Sequence, residues 1–312
     1  MTTNRFSTEL QAPFGFSLSA AAEFYAGFAP MGGAAQLQDK GLQLGVRLDG
    51  TFEPVSATLS QKGSRILVEA EGTTDQPRLI KQLSRMLGLD ADGRAWAAVG
   101  ERDDVLGRLK KFFPGFFTAG FPSPYEAGLG GVLSQRSSVK QAAALRRKLS
   151  AAHGSQVGGM WLVPAPKRLL AVKAFPGISE RKMDVLHGIA RAALDGKLEA
   201  DRLLAMPTEA ALESLESLDG VGPWTAAHML MRGASVRDVL PTSEPRVLRA
   251  FAAAYQRPES DYAKVSEGWR PFRMWAAIIL VRNLAREGGW AAVPEDFARR
   301  GRRSAMSSAV AR

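Results

Sequence analysis

The feature that most restricts the fold of this chain is a change of hydrophobic period near residue 105. Before it, segments such as Leu42–Leu48, Ser56–Leu59 and Ile66–Ala70 are short, with Val, Leu and Thr in partial alternation. Asp49-Gly50 and Lys62-Gly63-Ser64 place turn residues between them, the pattern of an antiparallel sheet. Helical stretches near Ser19–Phe28 and Gln76–Leu87 interrupt the strands, so residues 1–104 read as an α+β unit. From about Val105 strand signals vanish and helical periods run to about Glu287. Tyr125–Leu133 follows Pro122-Ser123-Pro124, then come Val139–Ala152 and Ser179–Leu194, the last with Met183, Leu186 and Ile189 at helical spacing. Thr208 is placed to cap a further helix with Leu212, Leu215 and Leu218 on one side and Glu209, Glu213 and Glu216 on the solvated other. The predicted architecture is an α+β N-terminal antiparallel-sheet domain, an all-α domain over residues 105–290, and a basic tail over 291–312 outside the folded body.

Composition narrows the chemistry. There is no cysteine, which removes disulfides, thiolate nucleophiles, Cys-ligated zinc and an iron–sulfur cluster together. No stretch approaches the roughly 20 apolar residues of a membrane span, and Met1–Phe6 has no secretory pattern, so a cytoplasmic, nucleoid-associated monomer is expected. The formal charge of +10 suggests a polyanionic partner, yet Arg299, Arg300, Arg302, Arg303 and Arg312 supply five of those charges from the acid-free stretch 299–312. His153, His187 and His228 lack metal-ligand spacing and read as ordinary helix residues.

The most informative stretch is Leu218-Asp219-Gly220-Val221-Gly222-Pro223-Trp224-Thr225-Ala226. Two glycines one residue apart allow a tight turn with positive φ and a bare surface, and Pro223 fits the first position of the next helix. Successive backbone N–H groups then point outward together, a site for a phosphate oxygen. By itself Gly-x-Gly is also an ordinary helix connection.

The surroundings of that turn resemble the helix-hairpin-helix, Gly/Pro-Asp-loop superfamily of DNA glycosylases. Phe175–Lys182 looks like the helix start ahead of its hairpin. Leu133–Val139 is similar to the Gln-containing loop that fills the gap left by a flipped nucleotide, and Trp269–Arg273 resembles the start of the closing helix. The resemblance covers roughly residues 105–287, and the α+β unit agrees with the sheet domain of alkylation glycosylases. It implies double-stranded DNA with damaged bases as partner, with Gly220, Val221, Gly222, Trp224, Thr225, Gln135, Arg136 and Ser137 at the interface. It also implies a monovalent cation on the carbonyls of the Leu218–Val221 segment and no required cofactor. Bifunctional members carry a Schiff-base lysine where this chain has Trp224, which cannot form an imine, so a monofunctional enzyme of the DNA-3-methyladenine glycosylase II branch is implied.

Counting 20 residues on from Trp224 reaches Glu244, where the Glu-x-x-Val-x-Arg frame of Glu244, Val247 and Arg249 matches the family's Asp-x-x-Ile/Val-x-Arg. Pro245 forces its predecessor out of the α region, so Glu244 is predicted to cap the following helix, whose dipole favours the ionised carboxylate. The family acid there is aspartate. Ser243 under a one-residue slip and Asp238 earlier in the loop are weaker candidates. Arg136 stands where close relatives have a leucine-like wedge, and Pro245 and Val281 where they often have stacking aromatics. Tyr125, Phe272 and Trp275 are candidate base-pocket surfaces, with burial in the core the competing reading. Three functions remain open: a monofunctional glycosylase acting on alkylated bases, a non-catalytic protein binding damaged or abasic DNA, and a helical interaction scaffold that uses the hairpin only as a turn.

Overall fold

The computed structural model describes residues 4–286 apart from 29, 30, 32, 39, 40, 119 and 243. Ser243 and the arginine tail thus lie outside the described residues.

Five antiparallel strands, β1 (Arg5–Gln11), β2 (Ala35–Gln38), β3 (Gly41–Arg47), β4 (Pro54–Lys62) and β5 (Arg65–Glu71), pair in the order β1-β5-β4-β3-β2. Register aligns the buried side chains: Leu42 faces Leu59, which faces Val68, and Leu44 faces Ala57, which faces Ala70. The three strands expected from alternation are these central ones. The outer β1 and β2 escape a reading of the sequence because they carry fewer buried residues to set a period. Helix α1 (Leu18–Gly27) buries Leu18, Ala21, Ala22 and Tyr25.

The helices that follow are α2 (Gln76–Leu87), α3 (Gly93–Arg102), α4 (Asp104–Lys111), α5 (Pro124–Ser134), α6 (Val139–His153), α7 (Pro166–Leu170) and α8 (Glu180–Leu194). Then come α9 (Ala200–Leu204), α10 (Thr208–Glu216), α11 (Pro223–His228), α12 (Pro245–Tyr255), α13 (Tyr262–Ser266) and α14 (Arg273–Arg286). A π-helical turn, Met229–Gly233, continues α11. Strand signals do not stop altogether at 105. β6 (Ser155–Val157) and β7 (Met160–Leu162) form a hairpin turned by Gly158 and Gly159, both at positive φ, and three-residue strands are too short to show a period. Thr208 does not cap α10 either: extended Pro207 holds the cap position and Thr208 is the first helical residue.

One apolar core runs through the sheet and the helices. The expected division at 104/105 falls at the head of α4, where Gly107 packs so closely on α3 that an added Cβ would lie 2.3 Å from the Gly100 carbonyl. Asp103 between α3 and α4 accepts from Tyr255 Oη at 2.7 Å and Trp269 Nε1 at 2.9 Å. Deeper inside, Arg146 of α6 donates to Glu126 of α5 at 2.6 Å, with both side chains almost wholly enclosed.

Candidate active site

Between α10 and α11 the turn closes with the Val221 N–H donating to Leu218 O at 2.9 Å. Gly220 sits at φ +74°, and a Cβ there would lie 2.2 Å from Val185 Cγ2 on α8, so glycine is required on two counts. Gly222 departs from the expected positive φ. It is extended, at φ −89° and ψ 176°, caps α11, and has nothing within 4 Å of where a Cβ would stand. One glycine makes the turn and the other leaves a bare surface. Ala226 is the first amide to bond back, to Gly222 O at 3.0 Å, so the Trp224 and Thr225 N–H groups precede the helical ladder. The Thr225 side chain is buried, with its Cγ2 beside Gly131, which restricts any contact with a ligand to its backbone.

Glu244 is extended, with Pro245 at the first helical position, and its side chain accepts the Arg246 N–H at 3.2 Å, as the local sequence predicts. Folding then brings the two residues 20 apart together: Trp224 Nε1 donates to Glu244 Oε2 at 2.9 Å. Arg246 closes a two-pronged grip on the same carboxylate, Nε to Oε1 at 2.8 Å and Nη2 to Oε2 at 3.0 Å. Burial pushes the Glu244 pKa up. The bonds and charge of Arg246, with the Trp224 and backbone N–H groups, outweigh that, and the carboxyl lies below its ordinary value. It is ionised at neutral pH.

His228, one helical turn after Trp224, stacks on the indole with ring centres 5.1 Å apart and 6° between planes. Phe121 meets it edge-on at 5.3 Å. Burial, and next the charge of Arg232, drive the imidazole down to a pKa of about 3, so it is neutral. Sequence reasoning passed over His228; the available signal was its i, i+4 relation to Trp224.

Gln135 ends α5, and Arg136 stands exposed at φ +53° at the start of the connection to α6. Ser137 Oγ lies 3.4 Å from Gln135 O, and the Ser138–Gln141 capping box starts α6. Lys182 of α8 donates its ammonium to Gln135 O at 2.7 Å and Leu133 O at 3.5 Å, a support not expected from the sequence. Burial, then the neighbouring Arg136 charge, lowers the Lys182 pKa.

The three aromatic pocket candidates need correction. Tyr125 is wholly buried with its hydroxyl donating to Pro164 O at 2.7 Å. Phe272 and Trp275 pack on each other and on Trp96 in the core. All three rings are buried in the core, so none offers a face to a ligand; the aromatic rings beside Glu244 are those of Trp224 and His228. Asp238 is occupied by Arg270 at 2.6 Å and Arg273 at 2.9 Å, a tie to the head of α14. Among the described residues no group of three or more His, Cys, Asp or Glu is placed to hold a metal ion, and no helix is long and apolar enough to cross a membrane.

No family model matches the chain. It is 24% identical over 218 residues to the DNA-3-methyladenine glycosylase of Bacillus subtilis, spanning 66% of this chain and 72% of that protein. It is 29% identical over 184 residues to DNA-3-methyladenine glycosylase 2 of Escherichia coli, spanning 56% of this chain and 62% of that protein. Its fold matches the solved 3-methyladenine DNA-glycosylase of Archaeoglobus fulgidus with a TM-score of 0.73 at 22% identity, over 89% of this chain and 97% of that one.

Proposed function

The chain belongs to the helix-hairpin-helix DNA glycosylase superfamily, in the DNA-3-methyladenine glycosylase branch, and on that premise we propose that it is a monofunctional enzyme of base-excision repair that flips alkylated bases from duplex DNA and hydrolyses their N-glycosidic bond. The observation that carries this reading is the 2.9 Å bond from Trp224 to Glu244, which sets an ionised carboxylate beside the hairpin helix. Cleavage builds positive charge on the deoxyribose, by analogy with sugar hydrolysis, and a carboxylate facing it stabilises that charge and orients water. A cationic alkylated purine leaves without an acid. Trp224 offers no amine, and its indole N–H is engaged by Glu244, so hydrolysis rather than imine chemistry follows.

The Gly222, Trp224 and Thr225 N–H groups would receive a phosphate, which positions the duplex without reading its sequence. Arg136, lifted by its left-handed backbone, would enter the gap left by the flipped base, with Gln135 and Ser137 at its sides. The Leu218 carbonyl accepts the Val221 N–H and keeps a second lone pair, and it and the Val221 carbonyl would hold a monovalent cation, which would supply positive charge toward the phosphate. The chain would act as a monomer.

Duplexes carrying methylated purines, hypoxanthine, ethenoadenine or uracil, assayed for abasic sites, test the reading. Base release is expected from the wild type, lost in Glu244→Gln and kept or raised in Glu244→Asp. No release from any of them, with tight and salt-sensitive duplex binding, would instead establish a non-catalytic DNA-binding protein, a reading the glycosylase names of the relatives do not favour.

A further inference from the structure

Glu244 is already matched by a positive charge. A carboxylate that is to stabilise a cation forming on the sugar works against itself while a guanidinium grips both its oxygens, because the second cation meets a neutralised pair. Arg246 is not sealed in place: its side chain is 35% exposed, against 17% for Glu244. It stands at the head of α12, joined through Glu244 to Trp224, which lies two residues from the bare surface of Gly222. That chain of bonds ties Arg246 to the helix that starts at the turn, and a guanidinium fork fits phosphate oxygens as well as carboxylate oxygens. Glu244 does not depend on Arg246 for every contact, since the Trp224 indole and the backbone amide at the head of α12 remain.

We propose that Arg246 is an exchangeable counter-ion, held by Glu244 in the free protein and handed to a DNA phosphate in the complex, so that the carboxylate faces the sugar only when duplex is seated. Arg246 is then a positioning residue acting through Glu244. The inference rests on the glycosylase reading for its purpose, but not for its test.

Equilibrium binding to an undamaged duplex over a series of salt concentrations decides it, with base release measured in parallel. Arg246→Met is expected to weaken binding and to reduce the slope of log affinity against log salt by about one, the loss of one phosphate contact. Arg246→Lys should restore most of the slope, because it keeps the charge. Glu244→Gln, which removes the carboxylate charge gripped by Arg246 and keeps the guanidinium, should bind several-fold more tightly than wild type, and this arm stands should Arg246→Met fold poorly. An Arg246→Met slope equal to wild type, with faster base release, would overturn the proposal, since Arg246 would then stay on Glu244 in the complex and only quench it. Glu244→Gln binding no more tightly than wild type would overturn it too. A wild type that releases no base would sink the glycosylase reading, while the salt slopes still report where Arg246 goes.

Discussion

Of the glutamate–arginine pairs in this molecule, the one joining α5 to α6 and the one at the head of α12 differ in where the water is. Glu126 and Arg146 join α5 to α6 with side chains 0% and 3% exposed, in a 2.6 Å contact. Glu244 and Arg246 lie two residues apart around the start of α12, in longer contacts, with solvent on one side. The first pair is sealed from solvent, with the Arg47 N–H on Glu126 Oε1 at 3.5 Å, and separating it would leave a bare charge in the core. The second can trade partners, because each ion keeps access to water and to the surface where a duplex would lie. The same chemistry therefore serves as a fixed joint in one place and as a replaceable contact in the other.

The largest effect should come from breaking the buried joint. Glu126→Ala is expected to cost about 3–5 kcal/mol, read as a lowered urea midpoint, because Arg146 is left charged and enclosed. A loss below about 1 kcal/mol would erase the distinction between the pairs. Arg246→Met should cost less than Glu126→Ala in the same experiment, since the Arg246 side chain is 35% exposed and Glu244 keeps its bonds to the Trp224 indole and the residue-246 N–H. Titration of the Glu244 carboxyl by NMR in the free protein sharpens the contrast. Its pKa is depressed in the fold, so the stability it contributes is present above its unfolded value and is lost only as pH falls through the lower folded one. The groups that face it are Arg246 from α12 and Trp224 and His228 from α11, and His228 stays neutral down to about pH 3. Arg246→Met should accordingly move the Glu244 midpoint upward, toward or past the ordinary 4.5, because burial is then less opposed. Smallest of all, raising the salt to about 1 M should change the stability difference between wild type and Glu126→Ala by no more than a few tenths of a kcal/mol, since enclosed charges are poorly screened.

What was legible in the sequence follows the same division between local and distant causes. Pro245 after Glu244, Pro223 after Gly222 and Ser138 before Gln141 act on their own neighbours, and the helix starts fall where those residues place them. The pairing of Trp224 with Glu244 was reachable through the family frame. Whether Tyr125, Phe272 and Trp275 face a ligand or the interior depends on which helix covers them, and nothing near them in the chain records that. Lys182 on the Gln135 carbonyl and Arg146 on Glu126 are likewise meetings of separate helices. The Arg246 grip is local, yet the Glu-Pro-Arg order alone does not say whether the guanidinium turns back or outward.

Helix α8 touches both loops that would engage DNA. Val185 closes against the place where Gly220 lacks a side chain, and Lys182, one turn earlier, holds the carbonyl just before Arg136. The span between the phosphate grip and the residue that enters the stack is therefore set by a single rigid rod, and it does not depend on either loop's own stiffness. Inserting or deleting one residue between Lys182 and Val185 would rotate one support away from its loop while leaving both loop sequences untouched, and would uncouple holding the backbone from opening the stack.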